Sequence, residues 1–78
     1  MFSPIETYQQ QIIDEVSPTL TYVGFTKVGA LVSEAKWQIQ KIETIGSITT
    51  ISLPLINGEA SANFFFVWNN RASYTYSL

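Results

Sequence analysis

The sequence contains no cysteine and no histidine in its 78 residues. Disulfide bridges are therefore excluded, together with the thiolate and imidazole ligands on which most zinc and copper sites depend. The same two residue types supply many catalytic nucleophiles and general bases. We expect no cofactor and no metal, and we expect that the protein is not an enzyme.

Charged side chains are also scarce. They make up 13% of the chain, about half of the quarter that is usual in soluble domains, and the formal net charge is -2. Only four residues are Lys or Arg, so no basic stripe is present to neutralise a nucleic-acid backbone. No segment has the roughly 18 consecutive apolar residues of a membrane helix, and the N-terminus lacks the pattern of a signal peptide. We therefore expect neither nucleic acid nor membrane as a partner.

A chain of 78 residues has room for a single hydrophobic core. Domains of this size bury only about 60% of the surface that the unfolded chain exposes, so they often need a further source of stability. With disulfides and metals excluded, association with other chains remains. Hydrophobic residues make up 46% of the chain and aromatic residues 14%, which leaves apolar groups to be covered. These values predict a homo-oligomer.

The first part of the chain, residues 1–18, fits two structures. Ser3-Pro4-Ile5-Glu6 resembles a helix capping box, and the apolar residues that follow it have near-helical spacing, so residues 4–15 fit a short helix. The alternative is an extended arm that pairs with a neighbouring chain. Ser17-Pro18 ends either structure, and residues 19–78 are expected to form one β domain.

Two strands are expected in the next part, with a segment between them that fits either a helix or a strand. Residues 19–26 alternate in a β-rich composition with apolar groups in both phases, so both faces of this strand are expected to be covered. A loop should follow from Gly29 to Ala35. Residues 36–45 fit either a helix or a strand. Gly46 marks a turn, and residues 48–53 read as a return strand that Pro54 closes.

The last part is expected to hold a tight turn and an aromatic strand. Asn57-Gly58 predicts a turn, followed by a loop over residues 59–62. Phe64 to Trp68 form a continuous run of large apolar residues. We expect this run to be a strand that is either covered on both sides or packed on the core with one face and on a partner with the other. A terminal strand around Tyr74 to Ser77 should complete an all-β fold, a small antiparallel sandwich or barrel of five to seven strands.

The interface candidates are the aromatic residues and the polar triplet that follows them: Trp37, Phe64, Phe65, Phe66, Trp68, Asn69, Asn70 and Arg71. Of Trp37, Phe64, Phe66 and Trp68, three are expected in the core, and the alternative is a patch that stacks on sugars or binds a partner. Arg71 is placed either to tie down a neighbouring loop of its own chain or to bridge subunits.

The carboxylates offer no clear catalytic pair. Asp14 and Glu15 are adjacent and so point in different directions, while Glu34 and Glu43 lie near Lys36 and Lys41 as solvated charge pairs. A further polar group, Asn57, Glu59 and Asn63, reads as a turn rather than as a site for a hard metal ion.

Three stretches in order resemble small structural proteins of tailed bacteriophages. They are Thr21-Tyr22-Val23-Gly24, then Trp37-Gln38-Ile39-Gln40-Lys41-Ile42, then the run up to Trp68 with Asn69-Asn70-Arg71-Ala72-Ser73 and Tyr76. In that family they correspond to T-Y-(I/V)-G, W-x-I-x-(K/R)-I and W-(D/N)-(D/N)-R-A-S-x-x-Y, and the likeness covers roughly residues 8–78. The loop at residues 55–59 departs from the acidic stretch of the family, which puts any role of that loop in doubt. The resemblance favours a strand for residues 36–45.

The resemblance implies a virion-associated subunit with a small β fold, made in the host cytoplasm and present in many copies. Its partners would be itself and other virion proteins, in the capsid, neck or tail. Two alternatives from other classes are a carbohydrate- or receptor-binding module of a phage tail and a small inhibitor of a host protein that acts through a β edge.

Overall fold

In a computed structural model of the protein, which describes residues 9–27 and 29–78, the chain forms a seven-stranded antiparallel sheet and a 3-10 helix. The all-β fold class is therefore confirmed. The elements are β1 (Gln9–Ser17), β2 (Leu20–Lys27), β3 (Ala35–Ile45), β4 (Ile48–Ile56), β5 (Glu59–Ala60), β6 (Phe66–Val67), the 3-10 helix (Trp68–Ser73) and β7 (Tyr76–Ser77).

The sheet is a meander in which β1, β2, β3, β4 and β5 lie side by side in chain order. Of the two structures that fit the N-terminal part, the helix is wrong for residues 9–17, which are extended. They pair with β2 of the same chain, from Gln9–Lys27 to Ser17–Leu20, and not as an arm with a neighbouring chain. The β-branched residues Ile12, Ile13 and Val16 suit a pleated surface better than a helix. The strand ends at Ser17, before Pro18, as expected. The capping box lies outside the described residues.

The central hairpin confirms the strand that was favoured for residues 36–45. β3 and β4 pair from Lys41–Ser52 to Ile45–Ile48 around a turn at Gly46, whose φ is 62°. The expectation that Pro54 closes β4 is wrong, because the strand continues to Ile56. The N–H of Leu55 donates to the carbonyl of Thr75. The missing N–H of Pro54 therefore falls at a position that makes no bond to β7.

The turn at Asn57-Gly58 is confirmed, with φ of 54° and 82°, both in the left-handed region. The loop expected over residues 59–62 is wrong in its first half, because Glu59–Ala60 form β5 and pair with Ile56 and Leu55. A two-residue turn holds both flanking strands in register, and here it extends the ladder by one short strand.

The aromatic run is not the long strand that the sequence predicted. Only Phe66–Val67 are extended, as β6, while Phe64 and Phe65 lie in a loop and Trp68 begins the 3-10 helix. β6 pairs with the beginning of β3, and β7 pairs with β4 at Leu53 and Pro54. The C-terminal segment thus pairs with β3 and β4 beyond the point where their own pairing ends.

The two faces of the sheet differ in how far other parts of the chain cover them. On the inner face, the C-terminal segment packs over Tyr22, Trp37 and Ile39, and Phe66 and Trp68 complete this buried cluster. Side chains alternate along a strand, so the residues between these on β2, β3 and β4 point to the outer face. The main core therefore lies on this side of the sheet, while Val23 of β2 is buried on the other side.

Candidate interaction surfaces

The aromatic candidates divide into a buried and an exposed set. Trp37, Phe66 and Trp68 are 0%, 4% and 5% exposed, whereas Phe64 is 39% exposed. Three of these four thus lie in the core, as the sequence predicted. The two indole centroids are 6.0 Å apart, and Nε1 of Trp37 donates to the carbonyl of Leu31 at 3.0 Å. These tryptophan rings are inside the fold and offer no stacking surface for a sugar.

Arg71 is bound within its own chain. Its Nη2 and Nε donate to Oδ2 of Asp14 at 2.9 and 3.1 Å, and its Nη1 donates to the carbonyl of Trp68 at 3.1 Å. The guanidinium carbon also lies 4.5 Å from the centroid of the Trp68 ring. Of the two alternatives for Arg71, the contacts seen are those that tie the 3-10 helix to β1. The neighbouring Asn69 and Asn70 are exposed.

Two tyrosines that were not among the interface candidates, Tyr74 and Tyr76, fix the C-terminal segment. The hydroxyl of Tyr76 donates to the carbonyl of Arg71 at 2.7 Å, and the hydroxyl of Tyr74 accepts from the N–H of Val67 at 2.8 Å. Burial raises the pKa of the Tyr76 hydroxyl, and the nearby Tyr22 and Tyr74 add to this effect. Both tyrosines lie in the C-terminal stretch where tyrosines alternate with small polar residues. That alternation was the sequence signal that could have identified them.

The predicted charge pairs are present at the surface. Nζ of Lys36 lies 3.5 Å from Glu34, and Nζ of Lys41 lies 3.6 Å from Glu43. A hydrogen bond from the Leu31 N–H lowers the pKa of Glu34. Asp14 and Glu15 point to opposite faces of the sheet, as expected for neighbours on a strand. Within the described part of the chain, no His, Cys, Asp and Glu side chains group in a way that could hold a metal ion.

The outer face of the sheet is uncharged over its central area, where apolar side chains are mixed with Thr and Gln. The pairing register aligns Ile13, Val23 and Gln40 in one row across the strands and Thr21, Ile42 and Ile51 in the next. Val23 is 7% exposed within this face, while Ile13 and Ile51, on β1 and β4, are 59% and 55% exposed. Large aliphatic side chains on this face are therefore open to solvent.

Charged residues lie only at the margins of the outer face among the residues that the structure describes. Glu15 is on β1, the edge strand, and Lys27 and Lys36 lie where β2 ends and β3 begins. The outward side chains between them on β2, β3 and β4 are Thr21, Val23, Phe25, Gln38, Gln40, Ile42, Thr44, Thr49, Ile51 and Leu53. Half of these side chains are apolar and none is charged, so the face offers aliphatic surface that a protein partner can cover.

Two smaller apolar patches lie at the two ends of β3. The tip of the β3–β4 hairpin carries Ile45 and Ile48, which are 78% and 68% exposed and point to the side opposite the outer face. The other end carries four exposed residues, namely Leu31, Val32, Phe64 and Phe65. Only the phenylalanines were among the sequence candidates. The isoleucines flank the predicted turn, and their pairing across it was the signal that pointed to the tip.

Comparison with known proteins finds no matching protein family, no matching curated protein and no matching solved structure. In the residues that are described, no helix has the length and apolar character needed to cross a membrane.

Proposed function

We propose that the protein is a non-enzymatic structural subunit that acts through protein–protein contacts in a symmetric homo-oligomer. The observation that supports this most strongly is the outer face, where isoleucines more than half exposed stand on regular, paired strands without a charged residue between them. Apolar surface of this kind on an ordered sheet usually marks a contact with another protein.

The polar groups of the chain support the same proposal, because several are used to hold the fold. Arg71 and Asp14 bind each other, and the hydroxyl of Thr26 donates to the carbonyl of Lys36 at 2.7 Å. In the described residues, no buried side-chain nitrogen or oxygen lacks a hydrogen-bond partner. Side chains that hold the fold together in this way suit a structural role.

The proposed setting is a bacteriophage virion, in which the subunit would contact its own copies and other virion proteins in the capsid, neck or tail. This part rests on the three sequence stretches given above. The structure gives them a shared location, because Gly24, Trp37 and Trp68 meet in the core.

Light scattering of the purified protein across a dilution series tests the oligomer. We expect a mass that is a fixed multiple of 8.8 kDa and that persists as the protein is diluted. A monomer at all concentrations would contradict the proposal. For the virion setting, the matching test is mass spectrometry of particles purified from the source phage, in which the subunit should be present in many copies.

A further inference from the structure

The outer face and the two end patches are the exposed apolar surfaces that stand out in the described structure, and they differ in extent. The hairpin tip offers two isoleucines and the opposite end four side chains. The outer face spans the outward residues of four paired strands. Only the outer face is broad enough to hold two folded domains together without other contacts.

An area estimate supports this choice. Strands lie about 4.8 Å apart and rise about 3.3 Å per residue, so the face is roughly 19 Å wide and 25 Å long. Two such faces in contact cover about 1,000 Å² in total, which is the lower limit for a specific protein–protein interface. The face is thus just large enough for one partner domain of similar size.

The side chains of the outer face indicate what that partner is. Gln38 donates to the carbonyl of Ala62 at 2.7 Å, and the hydroxyls of Thr44 and Thr49 bond each other at 2.9 Å. Gln40 instead carries an amide and Thr21 a hydroxyl, and both groups can donate and accept hydrogen bonds. Such groups can be satisfied by an identical set across a two-fold axis, whereas a partner that presented charged groups would leave those charges buried without counter-ions. The chemistry of the face is self-complementary.

We propose that the outer face is covered by the outer face of a second copy, which forms a two-fold sandwich of two sheets. This inference rests on the proposed function and specifies its contact. Sheets packed in this way lie about 10 Å apart with their strands within about 30° of each other. Ile13, Ile42 and Ile51 of both copies supply the apolar contacts, with Glu15 of each copy at the rim.

Two isoleucines on one strand provide a matched test. Ile51 lies on the outer face and Ile48, three residues earlier on β4, lies on the opposite face, and both are more than half exposed. We expect Ile51→Lys to raise the dissociation constant of the oligomer at least tenfold, because it buries a charge in the contact. Ile48→Lys should leave it unchanged. Ile13→Lys, on the far side of the face, provides an independent second variant.

The measurement is analytical ultracentrifugation of all four proteins, with far-UV circular dichroism to check that each is folded. If the wild type is an oligomer and Ile48→Lys dissociates it while Ile51→Lys does not, the proposed outer-face contact is wrong. The proposed function would still stand. If the wild type is an oligomer that neither Ile51→Lys nor Ile13→Lys weakens, the outer-face contact is likewise wrong and the proposed function still stands. A monomeric wild type would overturn both.

The absence of cysteine from the sequence allows a direct check of which face meets which. In Gln40→Cys, the single thiol lies near the centre of the outer face, and a short bismaleimide should join it to its counterpart in the second copy. Ser47→Cys, at the hairpin turn, is the control and should give little cross-linked dimer. The reverse pattern would contradict the face-to-face arrangement.

Discussion

Gly24 and Trp68 lie so close together that a β-carbon on Gly24 would be 2.5 Å from Cε3 of the indole ring. The same β-carbon would lie 3.1 Å from Cε3 of Trp37, so Gly24 provides the space in which both rings pack. The glycine in the middle of β2 is explained by this close approach of side chains, which strands otherwise rarely accommodate.

Replacing Gly24 by alanine should therefore destabilise the fold. We expect Gly24→Ala to lower the free energy of unfolding by about 2 kcal/mol, since the added methyl group forces the Trp68 ring to move. Near-UV circular dichroism should change as well, because the packing of the two indoles is altered. Urea unfolding followed by tryptophan fluorescence measures the first effect.

Gly46→Ala is the control for this substitution. No atom of the described residues 9–27 and 29–78 lies within 4 Å of a β-carbon at Gly46, but its φ of 62° is unfavourable for alanine. We expect a loss of about 1 kcal/mol from backbone strain and an unchanged near-UV spectrum. Equal spectral changes in the two variants would show that Gly24 has no special role in seating the rings.

The Arg71–Asp14 ion pair links the two ends of the described chain. The two side chains are 27% and 34% exposed, so solvent weakens the pair, and we expect Asp14→Asn to cost about 0.5 to 1 kcal/mol. The loss should shrink in 1 M salt. Glu15→Gln, the neighbouring carboxylate on the other face, is the control and should change stability little. A salt-independent effect of Asp14→Asn would argue against an electrostatic origin.

Much of the sheet could be predicted from the sequence, because periodicity and turn residues are local signals. The strands β2, β3 and β4 and the turns at Gly46 and Asn57-Gly58 follow from alternation and from the need for positive φ. The prediction that β4 ends at Pro54 was wrong, because a proline interrupts a strand only where its missing N–H faces a paired neighbour. The pairing at Pro54 is set by β7, which comes more than 20 residues later in the chain.

The aromatic run shows why the candidate site was harder to predict than the fold. Composition correctly indicated that three of the four residues Trp37, Phe64, Phe66 and Trp68 are buried. It did not indicate that the chain turns at Trp68 into a 3-10 helix that covers the core. The outer face was missed as a candidate because its members come from four strands and meet only through the pairing register. A single sequence shows the alternation of each strand but not which rows form across strands.

The buried hydroxyl of Thr26 offers a test of how much a single side-chain hydrogen bond contributes to stability. Thr26 is 1% exposed, and its Oγ1 donates to the carbonyl of Lys36 at 2.7 Å. We expect Thr26→Val, which has the same shape, to lower the free energy of unfolding by about 1 to 2 kcal/mol, because the carbonyl then loses a donor. Thr26→Ser keeps the hydroxyl and should lose less. A valine variant as stable as the serine variant would show that this hydrogen bond contributes little.

Tyr76 should make the stability of the protein fall at alkaline pH. Burial holds the pKa of its hydroxyl above the ordinary value of 10.0, so the folded chain keeps the proton at pH values where the unfolded chain releases it. The unfolded state then binds fewer protons, and the free energy of unfolding decreases as the pH rises above about 10. Tyr76→Phe removes this titration together with the bond to the Arg71 carbonyl, which costs about 1 kcal/mol at neutral pH. The stability difference between wild type and Tyr76→Phe, measured by urea unfolding from pH 8 to pH 11, should therefore narrow above pH 10. A constant difference would mean that the Tyr76 hydroxyl ionises in the folded protein as readily as in the unfolded chain.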